Sequence, residues 1–283
     1  MDRQLRELLE AAVGEPPRKI NIQTVRRRVA RRRAVEYTSG AAAAAVIAAL
    51  IPAGIGALGH GPAAPRTGGQ GPARGPIVYV ANAGSGTVTP IRAATNTALK
   101  PVKTGRLPQA IAITPDGRTA YVVNSRTVTP IKTATNSALP PVNVGPGAQA
   151  IAITPDGKTA YVTSMNLSTV TPIQTARNTS LAPVKVGDLP VTITVTPDGK
   201  TAYVIDEGGN PGHVTPIRTA TNTALAPVKV GRLPEAIAIT PDGKTAYVVN
   251  TGSGTVTPIQ TATNTALAPV KVGRTPVAIA ITP

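Results

Sequence analysis

Gln109-Ala-Ile-Ala-Ile-Thr-Pro-Asp-Gly-Arg-Thr-Ala-Tyr-Val-Val-Asn124 is the stretch whose reading decides the architecture. Its first six residues alternate small and branched side chains with period two. That is the pattern of a strand packed on both faces, with Ala on the crowded side. Pro115-Asp116-Gly117 then makes a turn. Proline presets φ, Asp bonds back to the backbone, and Gly accepts φ > 0. Thr119 to Val123 is a second strand, carrying Tyr121. Further along, Asn124 to Arg126 turns again, and Thr127 to Thr133 is a third strand. Ala134 to Ser137 turns once more, Leu139 to Val144 is an outer strand, and Gly145 leads onward.

The same unit recurs. Tyr-Val stands at Tyr79, Tyr121, Tyr161, Tyr203 and Tyr247, at spacings of 42, 40, 42 and 44 residues. Val-Thr-Pro-Ile begins at Val88, Val128, Val170, Val214 and Val256, and Thr-Pro-Asp-Gly at Thr114, Thr154, Thr196 and Thr240. A period near 42 in an all-β sequence is that of a four-stranded propeller blade. The fold expected is therefore all-β: a five-bladed β-propeller of four-stranded blades over residues 76–283. Proline inside the third strand (Pro90, Pro130, Pro172, Pro216, Pro258) cannot donate to a ladder. Its regular return predicts a bulge or a gap beside the outermost strand.

These repeats resemble the YVTN-repeat β-propellers of surface-layer and other exported prokaryotic proteins. The resemblance rests on Tyr-Val-Val-Asn at 121–124 and 247–250, Tyr-Val-Ala-Asn at 79–82, the Pro-Asp-Gly turns, and Thr-Ala-Thr-Asn-Thr at 261–265. It implies a propeller displayed outside the cytoplasm. The chain departs from the family in the Pro of Val-Thr-Pro-Ile. It departs again just after that Ile, where Arg92, Lys132, Gln174, Arg218 and Gln260 stand in place of the usual Asp.

The ends of the repeat region complement one another. The Tyr-Val strand at Ile77 lacks a preceding Ala-Ile-Ala-Ile-Thr strand, and Val277 to Thr282 is such a strand with no Tyr-Val after it. The expected closure sets Val277–Thr282 beside Ile77–Val80; truncation of a larger propeller is the alternative.

Cysteine is absent from the 283 residues, which excludes disulfides and thiolate metal sites. Trp and Phe are absent as well, so the core must be built from Ile, Val, Ala, Leu and Tyr. The formal net charge is +16. Residues 1–38 form a basic tail with Arg26, Arg27, Arg28, Arg31, Arg32 and Arg33. A short amphipathic helix is expected within it over Asp2 to Val13, and the segment Ile22 to Val35 carries the arginine block. Residues 39–59 follow without a charge and are expected to cross a membrane as one helix. Arginines on the N-terminal flank place that side in the cytoplasm and the repeats outside. A single-pass anchor is preferred here over a cleaved signal peptide, which would need an unusually long n-region. The arginine block is read as a topology determinant attracted to anionic membrane lipid. Residues 60–75, rich in Gly and Pro, form a flexible linker.

Propeller geometry puts the loops leading into the inner strands on one face, together with the turns joining second and third strands. That face is expected to carry Arg106, Arg232, Arg274, Asn82, Asn124, Asn250 and Glu235, the candidate ligand-binding set. Asp188, Asp206 and Glu207 could supply oxygens to Ca²⁺, although a tolerated loop insertion explains Asp206 to His213 more simply. No other cofactor is indicated. No complete catalytic constellation appears, and His213 stands alone in the repeats. Lys103, Lys185, Lys229 and Lys271 recur in the outer strand, where lysine protects an exposed edge. They could also attract polyanions. Specific nucleic-acid binding is not expected, because stacking aromatics are missing. The leading expectation is a non-enzymatic binding or scaffold module, membrane-tethered and outside the cell, whose partner is a protein or a cell-wall polyanion. The alternative is a metal-assisted, lactonase-like or lyase-like propeller enzyme.

Overall fold

The structure, a computed structural model, describes residues 75–283. The expected basic tail, membrane-crossing helix and nearly all of the linker lie outside the described residues. Among the described residues no helix is long and apolar enough to cross a membrane.

Five antiparallel sheets follow one another in chain order, the blades of a propeller fold. The third blade shows the plan. Its inner strand, Ala148–Ile153, pairs with Thr159–Ser164, which pairs with Thr169–Gln174. The outer lane then comes in two pieces, Thr179–Ser180 and Val184–Lys185, both on the third strand. Each Pro-Asp-Gly turn is built alike. The Thr154 hydroxyl donates to Asp156 Oδ1 at 2.6 Å, and the Lys158 amide donates to the same oxygen at 3.0 Å. Gly157 sits at φ 71°, a conformation that costs glycine nothing.

The split outer lane explains the repeated proline. The Leu139 amide donates to the Pro130 carbonyl at 2.8 Å, so Pro130 turns its carbonyl toward the outer lane. In an extended strand the nitrogen of a residue faces the same side as its carbonyl. The nitrogen without a proton thus faces Leu139-Pro140-Pro141, where the outer lane is broken. No ladder bond is lost. The continuous outer strand expected over Leu139 to Val144 is corrected to two short pieces, because its own prolines cannot sustain pairing either.

The core lies between blades. Four apolar clusters are described, each at one joint. At the joint between blades three and four, Tyr161, Val170 and Val184 meet Ala202, Val204 and Ile217. Each joint also carries one repeated hydrogen bond. A Tyr hydroxyl donates to the Asn of the Thr-Asn turn in the next blade: Tyr79 to Asn136, Tyr121 to Asn178, Tyr161 to Asn222 and Tyr203 to Asn264, all at 2.6 Å. These Asn residues adopt φ near 52°, which Asn tolerates better than most residues. Burial pushes the phenols of Tyr121, Tyr161 and Tyr203 up to about 12.

One expectation fails. The first blade has the strands Ile77–Asn82 and Thr87–Arg92 and the split outer lane, but no inner strand. Val277–Thr282 forms no strand and does not pair with Ile77–Val80. Among the described residues the inner edge of Ile77–Asn82 pairs with no strand.

Candidate functional site

Both classes of loop fall on the faces that blade geometry assigns them. On one face, here the top, the loop before each inner strand meets the turn after the second strand. The Ser125 amide donates to Arg106 O at 3.1 Å and the Gly252 amide to Arg232 O at 3.0 Å. On the bottom, Thr133 Oγ1 donates to Gly117 O at 2.6 Å, joining the third-strand turn to Pro-Asp-Gly.

The top loops have a backbone feature that the sequence reading missed. Leu107, Leu189, Leu233 and Thr275 all sit in the left-handed region, with φ between 48° and 55°. This conformation is costly for leucine and threonine and tends to cluster at functional loops. Here it turns the carbonyl inward. Leu189 O accepts from the Glu207 amide at 3.1 Å, and Leu233 O from the Thr251 amide at 3.0 Å. One signal was legible. In Gly145-Pro146-Gly147 the third repeat places glycine where the others have Leu or Thr, and Gly147 has φ 81°. Leu107 and Leu233 remain about half exposed, each beside an exposed arginine. Replacing Leu233 with Gly is expected to raise unfolding free energy by about 1 kcal/mol, as backbone strain is relieved. Chemical denaturation would measure it; a loss of stability would show that the leucine side chain matters more than its φ.

The candidate ligand residues divide into two groups. Arg106, Arg232 and Arg274 are exposed on top loops. Among the described residues they join no ion pair. The ion pairs formed lie on the bottom face, where Asp116, Asp156, Asp198 and Asp242 meet Arg118, Lys158, Lys200 and Lys244 at 3.6–3.9 Å. Glu235 is also exposed and accepts from Thr251 Oγ1 at 2.9 Å.

The asparagines are placed differently. Asn124 and Asn250 are buried beneath the face, and Asn82 is half-buried. Asn250 Nδ2 donates to Thr257 Oγ1 at 2.8 Å, and its Oδ1 accepts from the Gly231 amide at 3.1 Å. Asn124 Nδ2 donates to Thr129 Oγ1 at 3.1 Å, and Asn82 Nδ2 to Thr89 Oγ1 at 2.8 Å. Counting these three among face-presenting residues is corrected accordingly. Each ends a second strand, and its side chain pins that strand to the third.

Asp206 occupies the same position in blade four and is buried. Its Oδ2 accepts from the Thr215 hydroxyl, and the Gly187 amide also donates to the carboxylate. Burial pushes its carboxyl up to about 7 against the opposing pull of those hydrogen bonds. Asp188 accepts from Ser168 Oγ at 2.9 Å, and Glu207 is half-buried. Among the described residues no three His, Asp or Glu side chains come together in an arrangement that could hold a metal ion, so Asp188, Asp206 and Glu207 do not assemble as a Ca²⁺ cage. The top face thus presents exposed guanidinium groups, two of them beside a half-exposed leucine.

No protein-family model matches the chain. No curated protein matches it. Solved structures do. A Kuenenia stuttgartiensis hydrazine synthase chain is similar, with TM-score 0.60 and 26% identity, covering 65% of this chain and 60% of that one. A functionally unknown protein from Desulfotomaculum acetoxidans DSM 771 has TM-score 0.58 and 22% identity, covering 68% of this chain and 64% of that one. The chain thus spans less than two thirds of the length of either. These likenesses support the propeller fold.

Proposed function

We propose that this chain is a YVTN-type propeller held at a membrane by residues 39–59, displayed outside the cytoplasm, and binding an anionic polymer on its top face without catalysing a reaction. The observation that carries this reading is the exposed set Arg106, Arg232 and Arg274 on equivalent loops, which joins no ion pair among the described residues. The bottom-face acids, by contrast, are matched by their own cations. Guanidinium groups recognise phosphate and carboxylate through paired donors. Arginine stands at three of the five equivalent positions, with Pro146 and Asp188 at the other two, which suits a polymer with a recurring charge. The half-exposed Leu107 and Leu233 beside two of the arginines supply apolar contact to its backbone.

Binding of poly(glycerol phosphate), followed by calorimetry at rising salt, tests the reading. Arg106→Ala/Arg232→Ala/Arg274→Ala is expected to weaken binding at least about tenfold and flatten its salt dependence. Replacing Lys103, Lys185, Lys229 and Lys271 with Ala should change it less. The reverse ranking would move the site to the rim. Display is tested separately. Cysteine is absent, so Ser85→Cys, on an exposed turn, offers one thiol to an impermeant maleimide. Labelling of intact cells is expected, and protection of that thiol would overturn the topology.

A further inference from the structure

Blade three lacks the side chain that ties the second strand to the third in the other blades. In blades one, two and five an asparagine follows the Tyr-Val strand, and its Nδ2 group spans two threonines of the third strand. Asn82 reaches Thr87 at 3.2 Å and Thr89 at 2.8 Å. Asn124 reaches Thr127 at 3.5 Å and Thr129 at 3.1 Å. Asn250 reaches Thr255 at 3.1 Å and Thr257 at 2.8 Å. Blade four uses Asp206, whose carboxylate accepts from Thr215. Blade three has Ser164 at this position.

Serine is too short to span the two threonines. Its hydroxyl donates to Val144 O at 3.1 Å. Thr169 Oγ1 and Thr171 Oγ1 are enclosed, and neither has a hydrogen-bond partner. Thr171 is 2% exposed and Ser164 0%. The backbone does not close the gap. Ser164 faces Thr169 in the same register that sets Asn82 against Thr87 and Asn250 against Thr255. The loop amide above has found a substitute acceptor. Gly231 N donates to Asn250 Oδ1 in blade five, whereas the Gly145 amide donates to Asn143 Oδ1 at 3.0 Å. Asn143 stands where the other outer lanes have lysine. For the two threonine hydroxyls the chain offers no such replacement.

We propose that blade three binds one structural water among Ser164, Thr169 and Thr171, which donates to both threonine hydroxyls as the asparagine Nδ2 group does in blades one, two and five. Exchanging asparagine for serine removes a net pair of heavy atoms, room on the scale of one water, whose share of the liquid is ~30 Å³. A buried hydroxyl without a partner is costly, and a polar site with several partners is where an ordered water binds. The side chains lining the site carry hydroxyls and no carboxylate, so a buried cation would lack a compensating charge. The water ties the second strand of blade three to the third beneath Gly145-Pro146-Gly147, whose last carbonyl accepts from the Met165 amide at 2.8 Å.

Thr171→Val in the full chain keeps the shape of the side chain and removes its hydroxyl. If a water holds that hydroxyl, the urea midpoint falls, within about twofold of the shift for Thr257→Val, which loses the Asn250 bond in blade five. If the hydroxyl has no partner, its removal raises the midpoint, and the proposal fails. Threonine-methyl NMR gives a second readout. Magnetisation transfer from water to the methyls of Thr169 and Thr171 is expected to exceed that to Thr255 and Thr257 at least about threefold. The hydroxyls of blade five control for proton exchange with solvent. Ser164→Asn is expected to abolish the excess, and equal transfer at all four methyls in the parent chain would overturn the site. Replacing sodium and potassium chloride by choline chloride is expected to leave Tm unchanged. A lower Tm in the parent but not in Ser164→Asn would give the site to a monovalent cation and overturn the assignment to water.

Discussion

Replacing Tyr161 with Ala is expected to lower unfolding free energy by about 3–5 kcal/mol, and replacing it with Phe by about 1 kcal/mol. Tyr161 is fully buried at the joint of blades three and four, among Val170, Val184, Ala202 and Val204. Its ring fills space that no neighbour can enter, since each sheet is held by its own ladder. Truncation to Ala therefore leaves a cavity in addition to the lost burial. The Phe variant keeps the ring and removes only the bonds to Asn222 Oδ1 at 2.6 Å and Thr219 O at 3.3 Å. Equilibrium unfolding in urea separates the two effects. Tyr247→Phe is the internal control. Among the described residues its hydroxyl makes no hydrogen bond, so the change should cost little. A large cost would mean that Tyr247 already has a partner within its own chain.

Replacing Asp206 with Asn is expected to stabilise the propeller at pH 8 by about 2–4 kcal/mol and to change little at pH 4. The sign follows from linkage. The folded carboxyl is pushed up to about 7 from an ordinary value of 3.8. Between those values the folded state holds a proton that the unfolded state has released. Stability therefore falls as pH rises through this window and reaches its floor above about 7. The substitution removes the ionisation and keeps the shape. Blade five shows that the position accepts an asparagine, since Asn250 donates to Thr257 there, and Thr215 is the equivalent threonine beside Asp206. Thermal unfolding from pH 4 to 8 should show a slope in the parent chain that the variant lacks. Equal slopes would mean that Asp206 stays ionised in its site. On the acid side the bottom-face turns act in the opposite sense. The Thr114, Thr154, Thr196 and Thr240 hydroxyls are the first cause holding Asp116, Asp156, Asp198 and Asp242 below the usual carboxylate value. Their contribution is present above that value and is lost as pH falls below it through the lower, folded one.

Much of the top face could be read in advance. Arg106, Arg232 and Arg274 lie on exposed loops, each at the same offset before an inner-strand sequence. Asn124 and Asn250 were misplaced onto the exposed face because strand alternation does not say how deep a strand's last residue lies. Their burial depends on the Gly105 and Gly231 loops passing over them, close enough that a Cβ at either glycine would meet the Asn side chain. The left-handed leucines were missed for a related reason. Only Gly147 advertised the required φ, and a leucine held there by neighbouring hydrogen bonds leaves no trace in composition.

The repeat, its strand order, its turn chemistry and the faces to which the loops belong are all legible in the residues. Period-two alternation, Pro-Asp-Gly and the recurring Tyr are local instructions, each satisfied within one blade. They also name Val277–Thr282 as an inner strand in search of a blade. What no single repeat shows is that Val277–Thr282 takes no strand pairing with Ile77–Val80. Where two ends meet depends on the angle accumulated over every joint, and that angle is set by how Tyr, Val and Ala side chains fill the space between sheets. No single repeat encodes the sum.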